Sequence, residues 1–193
     1  LRFFPISKIE YQLNLHFLAT GRFFRPSLKK FKKVFTLMID LIAKWIASGF
    51  GSGYANVAPG TFGSFAALFF WWLLFQIGAL DAANAAVVPL VITTAVGFLA
   101  VAWCVRNLDA GADPQWIVID EWAGLYIALL GLTPGSWGLV LAAFIFFRAF
   151  DALKTGPVAW AESLPKAFGI MADDLVAGIM AAIVIWGLRL AIY

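Results

Sequence analysis

The chain has 193 residues, 63% of them hydrophobic and 13% charged, with a net charge of +3 and a mean hydropathy of +0.89. Soluble domains carry about 45–50% apolar and about 25% charged residues, so the composition excludes an ordinary water-soluble globule and indicates one integral membrane domain. The single cysteine, Cys104, excludes an internal disulfide and a cysteine-rich metal site, and the single histidine, His16, argues against a histidine zinc site or a Ser-His-Asp triad.

Residues 1–34 read as a basic, aromatic arm. Arg2, Lys8, Arg22, Arg25, Lys29, Lys30, Lys32 and Lys33 are eight of the fourteen Lys and Arg, set against one acid, Glu10. Phe3, Phe4, Phe23, Phe24 and Phe31 are interleaved with them. No apolar run separates the basic residues, so the arm does not resemble a cleaved secretory signal. Its chemistry suits an anionic membrane surface. It does not amount to a nucleic-acid-binding fold.

Residues 35–193 read as the membrane-embedded domain. The segment 35–49, FTLMIDLIAKWIASG, is short and carries Asp40 and Lys44 four residues apart. It is expected as an amphipathic helix lying in the interface. Apolar segments follow at 62–80, 86–105, 116–132, 136–153 and 172–192, each about the 17–25 residues of a bilayer-crossing helix. The expected fold is therefore all-α, a bundle of about five transmembrane helices plus an N-terminal interfacial amphipathic helix.

Alternating the five spans places the loop 49–63, Asp120-Glu121, the end of the fourth span and Asp173-Asp174 on one side. Arg106, Arg148, Lys154 and Lys166 lie on that side too, while Asp81 and Arg189 lie on the other. The excess of positive charge predicts that this side faces the cytoplasm.

Five carboxylates thus meet at one depth: Asp120, Glu121, Asp151, Asp173 and Asp174. Ionisable groups inside a membrane are costly and mark function. A helix start explains one acidic pair through the macrodipole, but not two pairs together with Asp151 near a helix C-terminus. Hard carboxylates without His or Cys point to Mg²⁺, with Asp120, Glu121, Asp173 and Asp174 as the candidate ligands. Arg148, Asp151 and Lys154, spaced by three, share a helix face. The two cations read either as partners of the acids or as a clamp for phosphate. GFGSGYANVAPGTFGS, residues 49–64, adds a glycine-rich turn before a helix. Gly60, Thr61, Gly63 and Ser64 are candidates to receive a phosphate there. No Gly-Lys-Ser/Thr follows, so it is not a nucleotide-binding P-loop.

Four stretches in order, GFGSGYANVAPGTFGS, IVIDEWAG, FRAFDALKTGP and GIMADDLVAG, resemble the phosphatidylglycerophosphatase A family over residues 40–193. The resemblance implies Mg²⁺-dependent hydrolysis of phosphatidylglycerophosphate to phosphatidylglycerol and phosphate at the bacterial inner membrane. It maps the family's acids onto Asp120, Glu121, Asp151, Asp173 and Asp174, its basic residues onto Arg148 and Lys154, and its loop onto Pro59, Gly60, Thr61, Gly63 and Ser64. Two stretches depart from the family pattern: Lys154-Thr155-Gly156-Pro157 in place of Lys-Pro-x-Pro, and Pro165 to Gly169 in place of a glycine-rich lead-in. Metal-activated water and an aspartate are both open as the attacking group. A rival reading, an ion transporter or channel using the same acids, predicts charges spread through the membrane depth rather than gathered on one side. The oligomeric state is not encoded in any of these patterns.

Overall fold

The computed structural model describes residues 28–79, 81, 84–108 and 114–192. The arm up to Ser27, His16 included, lies outside the described residues. The chain divides into two units, Leu1–Ile39 and Asp40–Tyr193. Among the described residues the secondary structure is helical throughout. We name the helices α1 (Leu28–Ala47), α2 (Pro59–Gln76), α3 (Val87–Asn107), α4 (Ile119–Ala128), α5 (Trp137–Leu153), α6 (Pro157–Glu162) and α7 (Ala167–Ile192), with a short 3₁₀ turn at Ser52–Tyr54.

Helix α1 starts inside the expected basic arm, before residue 35. Its Asp40 accepts a hydrogen bond from Trp103 Nε1 at 2.9 Å, which ties its C-terminal half to α3. Helix α2 begins at Pro59, whose missing N–H and fixed φ suit a first helical position. It starts earlier than the expected span at 62–80. Asp81 accepts two hydrogen bonds from Asn84 and forms the turn that leads into α3.

The third apolar segment departs most from expectation. A helix over 116–132 was expected, but only Ile119–Ala128 is helical. Ten residues rise about 15 Å, half of a hydrocarbon core. Eight of these ten residues are buried, and α4 packs on α2, α3, α5 and α7. Two side chains from the end of α7 reach the carbonyls beyond its last turn: Trp186 Nε1 donates to Leu130 O and Arg189 Nη1 donates to Gly131 O. Those carbonyls would otherwise lack partners.

Helices α4 and α7 approach by backbone. A Cβ on Gly178 would collide with Gly124 O, and one on Gly124 would collide with Asp174 O. Small residues that bring backbones together characterise helix pairs in lipid, where burial of apolar surface supplies no driving force.

Burial is inverted relative to a soluble protein. Asp120, Asp151, Asp173, Asp174, Ser48 and Ser64 are buried, while Leu99, Ile183, Leu190 and Phe69 face outward. Helices α3 and α7 are each long and apolar enough to cross a membrane.

Candidate functional site

One cavity of about 450 Å³ opens where the starts of α2, α4 and α7 meet the end of α5. Its wall includes Asp120 and Glu121 from α4, Arg148 and Asp151 from α5, Lys154 just after α5, and Asp173 and Asp174 from α7. All five expected acids and both expected cations therefore share one space.

The two acidic pairs repeat one local arrangement. Asp120 Oδ1 accepts the Glu121 N–H at 2.9 Å, and Asp173 Oδ1 accepts the Asp174 N–H at 3.0 Å. Their positions in the helices differ. Asp120 and Glu121 occupy the first turn of α4, where the helix dipole favours them. Asp173 and Asp174 were expected at a helix start, but α7 begins at Ala167 and places them in its second turn. The macrodipole therefore gives little relief to Asp174, which is 4% exposed.

The cations bridge the acids. Arg148 Nη1 lies 3.2 Å from Glu121 Oε1 and pairs with Asp151 Oδ2 one turn along α5. Lys154 Nζ pairs with Glu162 Oε1 and lies 3.2 Å from Asp173 Oδ2. Burial disfavours the Lys154 ammonium, but its hydrogen bonds to Glu162 and Asp173 outweigh that and hold its pKa above the ordinary lysine range. Five carboxylates thus face two cations around the cavity.

The glycine-rich loop divides its labour. Its first half serves packing: Ser48 O and Oγ accept N–H groups from Gly53 and Gly51, and a Cβ on Gly49 would lie 2.7 Å from Trp122 Nε1. Its second half reaches the site. Ala58, Pro59 and Gly60 line the cavity. A Cβ on Gly60 would occupy the place of Glu121 Oε1, and one on Gly63 would lie 2.9 Å from Glu121 Oε2. Ser64 is buried, and its hydroxyl donates to Gly60 O at 3.0 Å and lies 3.3 Å from Glu121 Oε2. Gly63 and Ser64 therefore seat Glu121 and do not line the cavity. Thr61 lies outside the cavity wall as well.

Several residues of this region escaped the sequence reading. Glu162 holds Lys154 from the short helix α6, and Gln115 and Ile117 line the cavity from the approach to α4. The lone acid in PVAWAES was the available signal for Glu162. Gln115, in a polar loop between apolar segments, carried none.

A divalent cation fits the donor set. Asp174 Oδ1 is buried and has no hydrogen-bond partner in the structure. An unpartnered carboxylate oxygen is costly unless a cation answers it. Among the described residues, no group of three or more His, Cys, Asp or Glu is arranged to hold an ion alone. Mg²⁺ would need only one or two of these carboxylates, with water and substrate phosphate completing its shell.

Comparison with known proteins places these residues in context. The profile of the phosphatidylglycerophosphatase A family matches residues 45–189. The chain is 37% identical over 148 residues to phosphatidylglycerophosphatase A of Haemophilus influenzae, covering 75% of this chain and 86% of the relative. It is 35% identical over 164 residues to phosphatidylglycerophosphatase A of Escherichia coli, covering 80% of this chain and 89% of the relative. A Bacteroides thetaiotaomicron protein, provisionally named a phosphatidylinositol-3-phosphatase, is 36% identical over 147 residues, 72% of this chain and 89% of the relative. No solved structure gives a significant match.

Proposed function

Because the chain belongs to the phosphatidylglycerophosphatase A family, we propose that it hydrolyses the terminal phosphate of phosphatidylglycerophosphate, giving phosphatidylglycerol and inorganic phosphate. The observation that carries this reading is the single cavity that gathers five carboxylates, Arg148 and Lys154 around the unpartnered Asp174 oxygen.

Mg²⁺ would be the cofactor in this reading, held by one or two carboxylates drawn from Asp120, Glu121, Asp173 and Asp174, and it would neutralise charge on the phosphate. The chain's own residues do the rest. Arg148 and Lys154 turn from their acid partners toward the phosphoryl oxygens and stabilise the charge that builds there, the main source of catalysis in phosphoryl transfer. The first-turn N–H groups of α2 at Gly60 add neutral donors. Water bonds to phosphorus as the ester bond to the glycerol oxygen breaks. A cavity carboxylate takes the water's proton, and the released oxygen is protonated to an alcohol.

The placement follows from the same chemistry. Helices α2, α3, α5 and α7 cross the bilayer and α4 descends partway among them, supported by the outward-facing apolar side chains. The acids stand at the cytoplasmic edge of a bacterial inner membrane, where the lipid headgroup lies, and the charge of the basic arm suits anionic lipid.

The test is phosphate release by the purified full chain from phosphatidylglycerophosphate micelles, in Mg²⁺ or EDTA, beside Asp173→Asn. Release that needs Mg²⁺ and vanishes in the variant is expected. No release from this lipid, with release from phosphatidylinositol 3-phosphate, would transfer the reading to the headgroup named for the Bacteroides relative.

A further inference from the structure

A lipid whose phosphate enters the acid cavity must lead its chains away along a seam between helices. Most seams at this cavity are closed. Helices α4, α5 and α7 pack closely on one another, and α2 packs on α4. Helices α2 and α5 flank α4 with their backbones apart, and meet each other through long side chains.

Both helices nevertheless reach the site. At the cavity end, Arg148 Nη2 lies 3.0 Å from where a Gly60 Cβ would stand. One step further into the domain, the rings of Phe65 and Phe144 lie 4.6 Å apart. Beyond that pair the seam opens into an apolar groove of about 200 Å³ lined by Phe65, Leu68, Phe69, Trp72 and Trp137. On α2 the positions 61, 65, 68 and 72, and on α5 the positions 148, 144 and 137, follow helical spacing, so each set forms one stripe. From Gly60 to Trp72 the helix rises about 18 Å, close to half of a bilayer's hydrocarbon core of about 30 Å. One lipid leaflet offers that depth to an acyl chain.

We propose that the α2–α5 seam is an acyl-chain subsite, in which one chain of the phospholipid lies along Phe65, Leu68, Phe69 and Trp72 and ends at Trp137. The proposal rests on the phosphatase reading of the acid cavity. It makes this face specific for the substrate, whereas other outward faces meet bulk lipid.

The experiment uses the full chain in detergent micelles and a phosphatidylglycerophosphate analogue with a photoreactive diazirine near the end of one acyl chain. Label is mapped by peptide mass with and without excess unlabelled lipid. Label on the stretch from Phe65 to Trp72 and at Trp137, displaced by the unlabelled lipid, is expected. Leu68→Trp fills the groove. It should cut that label about fivefold and lower kcat/KM for a long-chain lipid, relative to a dihexanoyl analogue, by about the same factor, the scale of packing contacts in lipid. Trp137→Ala, at an exposed position where folding is not at stake, should lose the Trp137 label and shift the chain-length ratio in the same direction. Label spread evenly over the outward faces of α3 and α7, label not displaced by competitor, or an unmoved chain-length ratio would overturn the proposal. Failure of the phosphatase reading looks different: wild-type protein would release no phosphate while the label stayed in the groove.

Discussion

Gly124 and Gly178 stand in backbone contact, and each lies one helical turn after a buried acid, Asp120 on α4 and Asp174 on α7. The contact therefore holds the two helices that carry these acids close together beside the cavity. A Cβ on Gly178 would fall against Gly124 O, a backbone atom that cannot rotate away. Gly178→Ala should separate the helices, costing about 1–3 kcal/mol of stability. Activity should fall by about tenfold or more, because an ångström of misplacement at reacting groups has effects of that order. Thermal unfolding in detergent and phosphate release read the two effects. Gly187→Ala, whose Cβ would meet nothing within 4 Å, is the control and should leave both unchanged.

Asp174→Asn should move stability and activity in opposite directions. The variant removes a buried carboxyl whose ionised form nothing in the metal-free protein compensates, so without metal the variant should unfold at higher temperature. Phosphate release should fall by about a hundredfold or more if the oxygen serves the metal. Wild-type protein should gain stability as Mg²⁺ is added, by mass action, and Asp174→Asn should lose most of that gain. Unfolding temperature against Mg²⁺ concentration decides it. Equal gains in both proteins would detach Asp174 from the metal.

Arg148 meets both Glu121 and Asp151 through Nη1, while its Nη2 stands toward Gly60, so a planar guanidinium reaches two places that a point charge reaches only one at a time. Arg148→Lys should keep the net charge yet lower kcat by roughly ten- to a hundredfold, with a smaller change in KM. Steady-state kinetics against micellar substrate separates the two constants. A variant with wild-type kcat would mean that only charge matters at this position.

Ser64 lies beneath Glu121 and touches no open space. Ser64→Ala removes a hydrogen bond worth about 1 kcal/mol, so activity should drop about fivefold through the orientation of Glu121. Thr61→Ala, outside the cavity wall, should cost less. Assaying the two variants side by side ranks them. The reverse order would restore Thr61 as the phosphate-facing hydroxyl.

The acids and the apolar segments around them were legible because both signals are local. A carboxylate in an apolar run stands out wherever the run folds. The depth of α4 was not legible. IVIDEWAGLYIALL reads as a full span by hydropathy, yet the helix stops at Ala128, where Trp186 and Arg189 meet the chain beyond it from the other end of the sequence. The early start of α7 was missed for a similar reason. The apolar segment was expected from residue 172, and the helix begins directly after Lys166 adopts a positive φ. The roles of Gly63 and Ser64 depended on Glu121, 57 residues beyond Ser64, arriving beside them. No pattern within the loop contains that partner.

The shortness of α4 bears on how the protein is made. In the proposed bilayer placement, α2 and α3 can settle in the membrane as they leave the ribosome. Helix α4 cannot, since ten residues headed by two acids are too short and too polar to hold a position alone. Its glycine contact and the donors to the carbonyls beyond it both belong to α7, which is synthesised well after it. A chain truncated before α7 would therefore carry every acid of the first pair and still have no site. In that placement the cavity would be complete only once α7 has joined α4.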